Sequence, residues 1–141
     1  MQDLGHVAWL LGMSVERDRS ARTLKMGQRQ YVLDMLERFG MIDCKPMSTP
    51  MVTGGVVNNT AELKATDAPF QSLVGSLLYA SSATRPDRTM AVSHLSRFMS
   101  NATSMHWEHV KRVLRYLKGT MNCGLVYGAR AMTPPVAPHL V

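Results

Sequence analysis

The sequence predicts an α+β fold that is predominantly helical, with an N-terminal β-hairpin followed by about four helices and a disordered C-terminal tail. Apolar residues alternate with period two up to residue 26, and they recur at helical spacing from residue 28 onward. Prolines and glycines cluster between and after the helical stretches, where they interrupt the hydrogen-bonding pattern of both helices and strands. With a hydrophobic fraction of 45% over 141 residues, the chain can bury a moderate core.

The first predicted element is the hairpin. Residues 7–15 place an apolar group at every second position, as a half-buried strand does, and the alternation resumes at residues 23–26. The segment between them is charged and short. We therefore expect a β-hairpin whose tip carries Arg17, Arg19 and Arg22.

The first helix is predicted from Gln28, where the apolar period changes to that of a helix, and Gly40 stands where a C-terminal cap belongs. Residues 44–66 hold Pro46, Pro50 and two Gly or Asn pairs, so this stretch is predicted to be an extended connector.

The second helix is predicted to start at a cap supplied by Asp67 or Thr66, with Pro69 tolerated in its first turn. After it, residues 85–87 are predicted to end the helical stretch and to begin the third helix, because proline presets the φ of the first helical residue. The third helix is expected to end near Asn101.

The fourth helix is predicted to begin at a Ser104 cap with Glu108 in its first turn, and to end at Gly119. One face is an apolar stripe that includes Trp107 and Leu114, and this face should pack. The neighbouring arc is cationic and consists of Lys111, Arg112, Arg115 and Lys118. Residues 124–127 are expected to form a short strand before the tail.

The net charge of +6 lies entirely in the last two fifths of the chain. Residues 1–84 hold eight Lys or Arg and eight Asp or Glu, whereas residues 85–141 hold eight basic residues against Asp87 and Glu108. A one-sided positive field favours a polyanion, with nucleic acid ahead of an anionic membrane. The alternative is a solvated basic face that binds nothing.

The candidate nucleic-acid-binding residues are those of the cationic helix together with two arginines near the third helix. They are Lys111, Arg112, Arg115, Lys118, Arg85 and Arg88, and the hairpin tip adds further positive charge. Such side chains neutralise phosphates without reading the base sequence. The expected partner is therefore duplex nucleic acid, bound independently of sequence.

The sequence offers no catalytic residue, metal site or cofactor site that we can name. Two-metal phosphoryl transfer needs converging carboxylates, yet no two acidic residues are adjacent anywhere in the chain. His106 and His109 are three residues apart on a helix, but no third ligand stands near them. We expect no enzyme activity from the chain on its own.

The expected location is cytoplasmic or nuclear. Cys44 and Cys123 are far apart and form no metal-binding or redox motif. No charged leader with an apolar run opens the sequence, and no segment approaches the roughly 20 apolar residues that cross a bilayer. We therefore expect neither secretion nor a membrane partner.

Several blocks of the sequence, in order, resemble the reverse-transcriptase region of copia-type retrotransposon polyproteins. The first half contributes MQDLG at 1–5, LGMSVE at 11–16, QRQY at 28–31, LERFGM at 36–41 and CKPMSTP at 44–50. The second half contributes FQSLVGSLLY at 70–79, TRPD at 84–87, LSRFM at 95–99, HWE at 106–108 and RYLKGT at 115–120. Many motifs in the right order carry more weight than any single one.

The resemblance implies a position after the paired catalytic aspartates of the polymerase, which would lie upstream of Met1. It divides the chain into a palm-end hairpin at 1–26, a helical region resembling thumb and connection at 27–127, and a disordered tail at 128–141. It also implies an RNA-directed DNA polymerase as parent, without its ribonuclease H and integrase parts. The rest of a reverse transcriptase, acting in trans, is then a possible partner.

The chain departs from the family pattern at two informative positions. Phe70 stands where the family commonly has tyrosine, and Arg88 where an aliphatic residue usually follows Arg-Pro-Asp. Three hypotheses follow. The first is a non-catalytic reverse-transcriptase fragment with residual duplex binding, the second is a helical module that docks a protein through its apolar stripes, and the third is an active polymerase.

Overall fold

The computed structural model describes residues 5–54 and 68–128, and within them the chain is α+β with a small sheet and four α-helices. The strands are β1 (Trp9–Leu10), β2 (Met13–Asp18), β3 (Thr23–Gly27) and β4 (Leu125–Gly128). The helices are α1 (Arg29–Arg38), α2 (Phe70–Ala83), α3 (Thr89–Ser96) and α4 (Ser104–Gly119), with a 3₁₀ turn at Pro86–Arg88 before α3.

The sheet is antiparallel throughout, and its strands lie in the order β1-β2-β3-β4. The predicted hairpin is present as β2 and β3, with Val15 opposite Met26 and Arg17 opposite Leu24. The short strand expected at 124–127 is also present, one residue later, as β4. It pairs with β3, so the two ends of the described chain meet in one sheet.

The prediction of one continuous strand at 7–15 is wrong, because a tight turn divides it. Leu11 and Gly12 both adopt positive φ, at 51° and 76°, and Leu10 pairs with Met13 across them. Positive φ at both central residues is the geometry that two-residue hairpin loops require. The turn keeps the period-two pattern on either side, which is why the pattern alone did not reveal it.

Helix α1 ends as predicted at a glycine cap. Gly40 has a φ of 65°, its N–H donates to Glu37 O at 3.0 Å, and the Met41 N–H donates to Leu36 O at 2.7 Å. These two bonds form a Schellman motif, which satisfies carbonyls that the helix end leaves free.

The second and third helices differ from the prediction at their ends. The proposed caps of α2, Thr66 and Asp67, lie outside the described residues, and α2 begins at Phe70, directly after Pro69. Helix α3 ends at Ser96 instead of near Asn101, because residues 97–101 continue as turns. The proline restart is confirmed, since Pro86 opens the 3₁₀ turn that leads into α3.

The N-terminal cap of α4 is Thr103 and not Ser104. The Thr103 hydroxyl accepts from the His106 N–H, and the His106 ring nitrogen Nδ1 accepts from the Thr103 N–H at 3.1 Å. This is a reciprocal capping box in which histidine takes the place usually held by Glu or Gln. Glu108 consequently lies beyond the first turn, whereas the predicted end at Gly119 is confirmed.

The core is formed by the four helices and does not include the sheet. It is built from aliphatic side chains of all four helices together with Phe70, and it includes Leu36, Leu73, Leu77, Leu95 and Leu114. Of the strand residues, only Met13 is buried, and it lies outside this cluster. The apolar stripes of the helices are therefore satisfied within the chain, while apolar side chains of the sheet stay exposed.

No helix among the described residues combines the length and the apolar character needed to span a bilayer.

Candidate nucleic-acid interface

The cationic face of α4 is partly covered by the connector that follows α1. Lys118 Nζ donates to the carbonyls of Ile42 and Cys44, at 2.6 and 2.7 Å. Arg115 Nε donates to Lys45 O at 2.8 Å, and Arg112 donates to the Thr49 hydroxyl at 2.8 Å. Lys111 pairs with Glu108 one turn earlier on the same helix.

These bonds explain how the proline-containing connector is held in place. Its carbonyls have few partners within their own segment, and charged donors on α4 supply them. In return, Met47 N–H donates to Arg115 O at 3.3 Å. The four predicted cations of α4 remain half-exposed, but three of them direct donors at the connector.

Arg85 lies in a buried network instead of on a surface. Its guanidinium donates to the backbone carbonyl and the hydroxyl of Thr120, both at 2.6 Å, and to both carboxylate oxygens of Asp87. The Tyr116 hydroxyl donates to Asp87 at 2.9 Å. Burial opposes both charged forms, yet the ion pair raises the pKa of Arg85 and lowers the pKa of Asp87. Arg85 therefore ties the chain before α3 to the C-terminal end of α4.

Arg88 is fully buried, and none of its three guanidinium nitrogens has a hydrogen-bond partner within the described chain. Burial, together with the nearby charge of Arg85, lowers the pKa of Arg88 to about 9. A buried cation without acceptors costs free energy. The structure thus places both predicted nucleic-acid-binding arginines, Arg85 and Arg88, in the interior, where the turn Pro86–Arg88 packs against α2 and α3.

At the hairpin tip, in contrast to Arg85 and Arg88, the arginine side chains are exposed. Arg17, Arg19 and Arg22 are exposed, and none of their side chains forms an ion pair or hydrogen bond with another described residue. They border one open concave surface of about 760 Å³, with Tyr127 and Gly128 of β4 on its other side. The structure thus brings three arginines and a half-exposed tyrosine together.

Asp18 organises the loop between these arginines. Its carboxylate accepts the backbone N–H groups of Ser20 and Ala21, at 2.8 and 3.0 Å, as well as the Ser20 hydroxyl. The Ser20 hydroxyl and these N–H groups lower the pKa of Asp18. Arg22 follows with a φ of 53°, a conformation that turns the chain back into β3. The tip is therefore a defined turn and not a loose loop.

Two buried polar contacts were missed by the sequence interpretation. The Thr84 hydroxyl donates to the Gln28 side-chain oxygen at 2.7 Å, which links the start of α1 to the end of α2. His106 stacks on Phe98 at 4.1 Å between ring centroids while it caps α4. A threonine three residues before a histidine was the only available signal, and it is weaker than the Ser or Thr followed by Glu that usually marks a capping box.

No cluster of three or more His, Cys, Asp or Glu side chains suited to a metal occurs within residues 5–54 and 68–128. His106 is committed to the cap of α4.

Comparison with known proteins identifies sequences that are similar to this chain. The chain is 43% identical over 135 residues to the retrovirus-related Pol polyprotein from transposon TNT 1-94 of Nicotiana tabacum, a match that covers 91% of this chain and 10% of the polyprotein. It is 41% identical over 114 residues to the Pol polyprotein from transposon RE1 of Arabidopsis thaliana, covering 80% of this chain and 8% of that protein. These matches support a fragment of a retrotransposon polyprotein.

The two matches confirm the resemblance at the level of the polyprotein. An uncharacterized mitochondrial protein of Arabidopsis thaliana is also similar, at 39% identity over 126 residues, which cover 89% of this chain and 51% of that protein. This Pol segment thus spans about a tenth of the polyproteins and about half of the shorter relative. No family model matches the chain, and no solved structure does so either.

Proposed function

We propose that this chain is the part of a Pol reverse transcriptase that contacts the template–primer duplex, and that it has no polymerase activity on its own. The proposal is supported by the Pol relatives and by the order of the sequence blocks at 1–120. It also fits the composition, because the excess of basic residues favours a polyanionic ligand.

The observation that carries this proposal is the group of unpaired arginines at the hairpin tip. Arg17, Arg19 and Arg22 are exposed around one concave surface, so phosphates can reach them without displacing a partner among the described residues. Along α4, a phosphate has to compete with the connector carbonyls for the same donors. We therefore assign the main phosphate contacts to the tip and a supporting positive field to α4.

The test is equilibrium binding of the chain to a short fluorescent RNA–DNA hybrid, followed by anisotropy. Replacing two tip residues, Arg19→Ala with Arg22→Ala, should weaken binding to hybrids of unrelated sequence by the same factor. Arg97→Ala is the matched control, because Arg97 is also exposed but lies in the turn after α3. Unchanged affinity of the tip variant would contradict the assignment.

The catalytic part of the proposal has its own test. Primer extension with magnesium and all four deoxynucleotides should show no incorporation by the isolated chain. Magnesium catalysis needs carboxylates held together, and the described residues bring no such group together. Measurable extension by a preparation freed of contaminating polymerase would overturn the proposal.

A second candidate function is that of a protein-interaction module. The sequence suggested docking through the apolar stripes of the helices, but the structure favours the sheet as the docking region. The helical stripes are buried against one another and are not available for docking. Exposed apolar side chains are instead concentrated on and beside the sheet, and they include Val7, Trp9, Leu10, Leu11, Val126 and Tyr127.

A further inference from the structure

One exposed aromatic side chain lies beside the arginines of the hairpin tip. Tyr127 of β4 lines the concave surface of about 760 Å³, together with Arg17, Arg19 and Arg22. The tyrosine is 53% exposed, and it belongs neither to the helical core nor to the side chains packed against that core. Its ring is therefore accessible to a ligand that enters the concave surface.

The register of the sheet fixes the position of the tyrosine relative to the tip. Arg17 is opposite Leu24, and Leu24 is opposite Tyr127, so these three residues form one row across β2, β3 and β4. Side chains of residues paired in this way lie on the same face of a sheet. Because neighbouring strands are about 4.8 Å apart, the backbones that carry the guanidinium and the phenol ring are separated by about 10 Å on that face.

Close packing of β4 on β3 holds the tyrosine in this row. Gly128 is opposite Thr23, and a Cβ at Gly128 would lie 2.9 Å from both the Arg22 carbonyl oxygen and the Thr23 methyl group. Just before the strand, a Cβ at Gly124 would clash with the Met26 carbonyl. Glycine in a strand permits this close approach of two backbones. The ring is thus carried on a strand that is fixed beside the tip.

The charge of the lining narrows the ligand. Three arginines outnumber one carboxylate, Asp18, which already accepts the N–H groups of Ser20 and Ala21. Guanidinium groups bind phosphates through paired N–H donors, and aromatic rings stack on the faces of bases. Within a duplex the neighbouring bases cover these faces, whereas an unpaired base can present its face to a protein. The combination of arginines and ring therefore suits a nucleotide of a single strand.

We propose that the concave surface at the hairpin tip binds an unpaired nucleotide of a nucleic-acid strand, with the base stacked on Tyr127 and the flanking phosphates bound by the tip arginines. This assignment deepens the proposed function and rests on it for the phosphate contacts. Stacking tolerates any base, because every base has an aromatic face. The chain should therefore distinguish a strand that carries bases from the same backbone without bases.

The test compares two short fluorescent single strands of equal length, a thymidine oligomer and an abasic oligomer with the same number of phosphates. By anisotropy, the 141-residue chain should bind the thymidine strand about tenfold more tightly, since one stacked base contributes on that order. Tyr127→Leu should reduce the affinity for the thymidine strand to that for the abasic strand and leave the latter unchanged. Tyr127→Phe should retain the preference, because it keeps the aromatic ring.

Val126→Ala is the matched control. Val126 is 54% exposed on the same strand, but successive side chains of a strand lie on opposite faces, so its removal should change neither affinity. Circular dichroism establishes that each variant is folded. The comparison of the two strands with the wild-type chain requires no variant, and it tests the stacked base even if Tyr127→Leu does not fold.

Three results would overturn the assignment. The first is equal affinity of the wild-type chain for the two strands, and the second is a preference for the thymidine strand that persists in a folded Tyr127→Leu variant. The third is displacement of the strand by an equal concentration of thymidine monophosphate, which would make the surface a site for a free nucleotide. Thymidine monophosphate should instead compete weakly, because it supplies a single phosphate.

Failure of the stacked base can be told apart from failure of the proposed function. Arg19→Ala with Arg22→Ala should weaken binding of both strands and of the RNA–DNA hybrid, because all three supply phosphates. A chain that binds the hybrid through these arginines but does not distinguish the two strands would contradict the stacked base alone. Hybrid binding that is insensitive to the arginines, with a thymidine preference that depends on Tyr127, would contradict the proposed phosphate contacts and not the stacked base.

Discussion

Around α4, cationic side chains are engaged or buried, whereas at the hairpin tip they project without partners among the described residues. Lys118 and Arg115 hold the connector, Arg85 caps the end of α4, and Arg88 is enclosed. At the tip, Arg19 and Arg22 border an open concave surface. The comparison teaches that the number of basic residues in a stretch of sequence does not locate a binding interface. A ligand can use a basic side chain only if its hydrogen-bond donors are not already bound to another part of the protein.

The two regions should consequently respond to mutation in opposite ways. Removing an engaged or buried cation should change the free energy of unfolding, whereas removing a tip cation should change binding and leave stability almost untouched. The predictions below test this separation.

The largest effect is expected at Arg88. Arg88→Met keeps a long side chain but removes a buried charge that has no acceptor within the described chain. The free energy of unfolding should rise by about 3 kcal/mol, measured by urea denaturation. A loss of stability would show that the guanidinium has partners that the described residues do not supply.

The same pair of proteins gives a pH test. Burial lowers the pKa of Arg88 from its ordinary value to about 9, so between about pH 9 and the ordinary arginine pKa the unfolded chain binds more protons than the folded one. The wild-type chain should then gain stability as pH rises through this window, and Arg88→Met should not. The stability gap between the two proteins should be full at neutral pH and smaller at about pH 10.

Arg85→Ala should have the next largest effect, in the opposite direction. It removes the donors to Thr120 and leaves Asp87 with only Tyr116, so we expect a loss of about 2 kcal/mol in the free energy of unfolding. Arg85→Lys is the informative companion, because one ammonium cannot reproduce the paired contact with Asp87. Full stability in Arg85→Lys would show that the forked geometry is unimportant.

Lys118→Met should cost about 1 kcal/mol, because it removes two bonds to connector carbonyls and retains the aliphatic stem. Amide hydrogen exchange should accelerate locally in residues 42–49. Exchange unchanged in that segment would mean that α4 does not hold the connector.

The smallest effect on stability is expected at the tip itself. Arg19→Ala and Arg22→Ala should each change the free energy of unfolding by less than about 0.5 kcal/mol, because neither side chain has a partner within residues 5–54 and 68–128. Thermal melts of the two variants beside the wild-type chain provide the measurement. A larger change would place the tip arginines among the structural cations and remove the contrast with α4.

Much of the fold could be predicted because local patterns agree with it. The helical spacing after Gln28, the glycine at position 40 and the proline at position 86 each act within a few residues, and the structure confirms all three signals. The turn at Leu11 and Gly12 was missed because alternation is the same on both of its sides. The pairing of β4 with β3 was also out of reach, since it joins residues about a hundred positions apart.

The candidate site was less predictable than the fold. The helical wheel showed that Arg112, Arg115 and Lys118 share a face, but it could not show that the connector would lie across that face. In the sequence, Arg85 and Arg88 cannot be distinguished from exposed arginines. Only the tertiary packing reveals that they are buried. The sequence predicted that Arg17, Arg19 and Arg22 lie at the tip of a hairpin. Nothing in it indicated that they are more accessible to a ligand than the cations of α4.

The most direct measurement is the salt dependence of hybrid-duplex binding for two double variants, Arg19→Ala with Arg22→Ala and Lys111→Ala with Arg115→Ala. Each phosphate contact adds close to one to the slope of log affinity against log salt. The account predicts that the tip variant lowers the slope by about two and the α4 variant by less than about one. The reverse order would contradict it, because the phosphate contacts would then lie on α4.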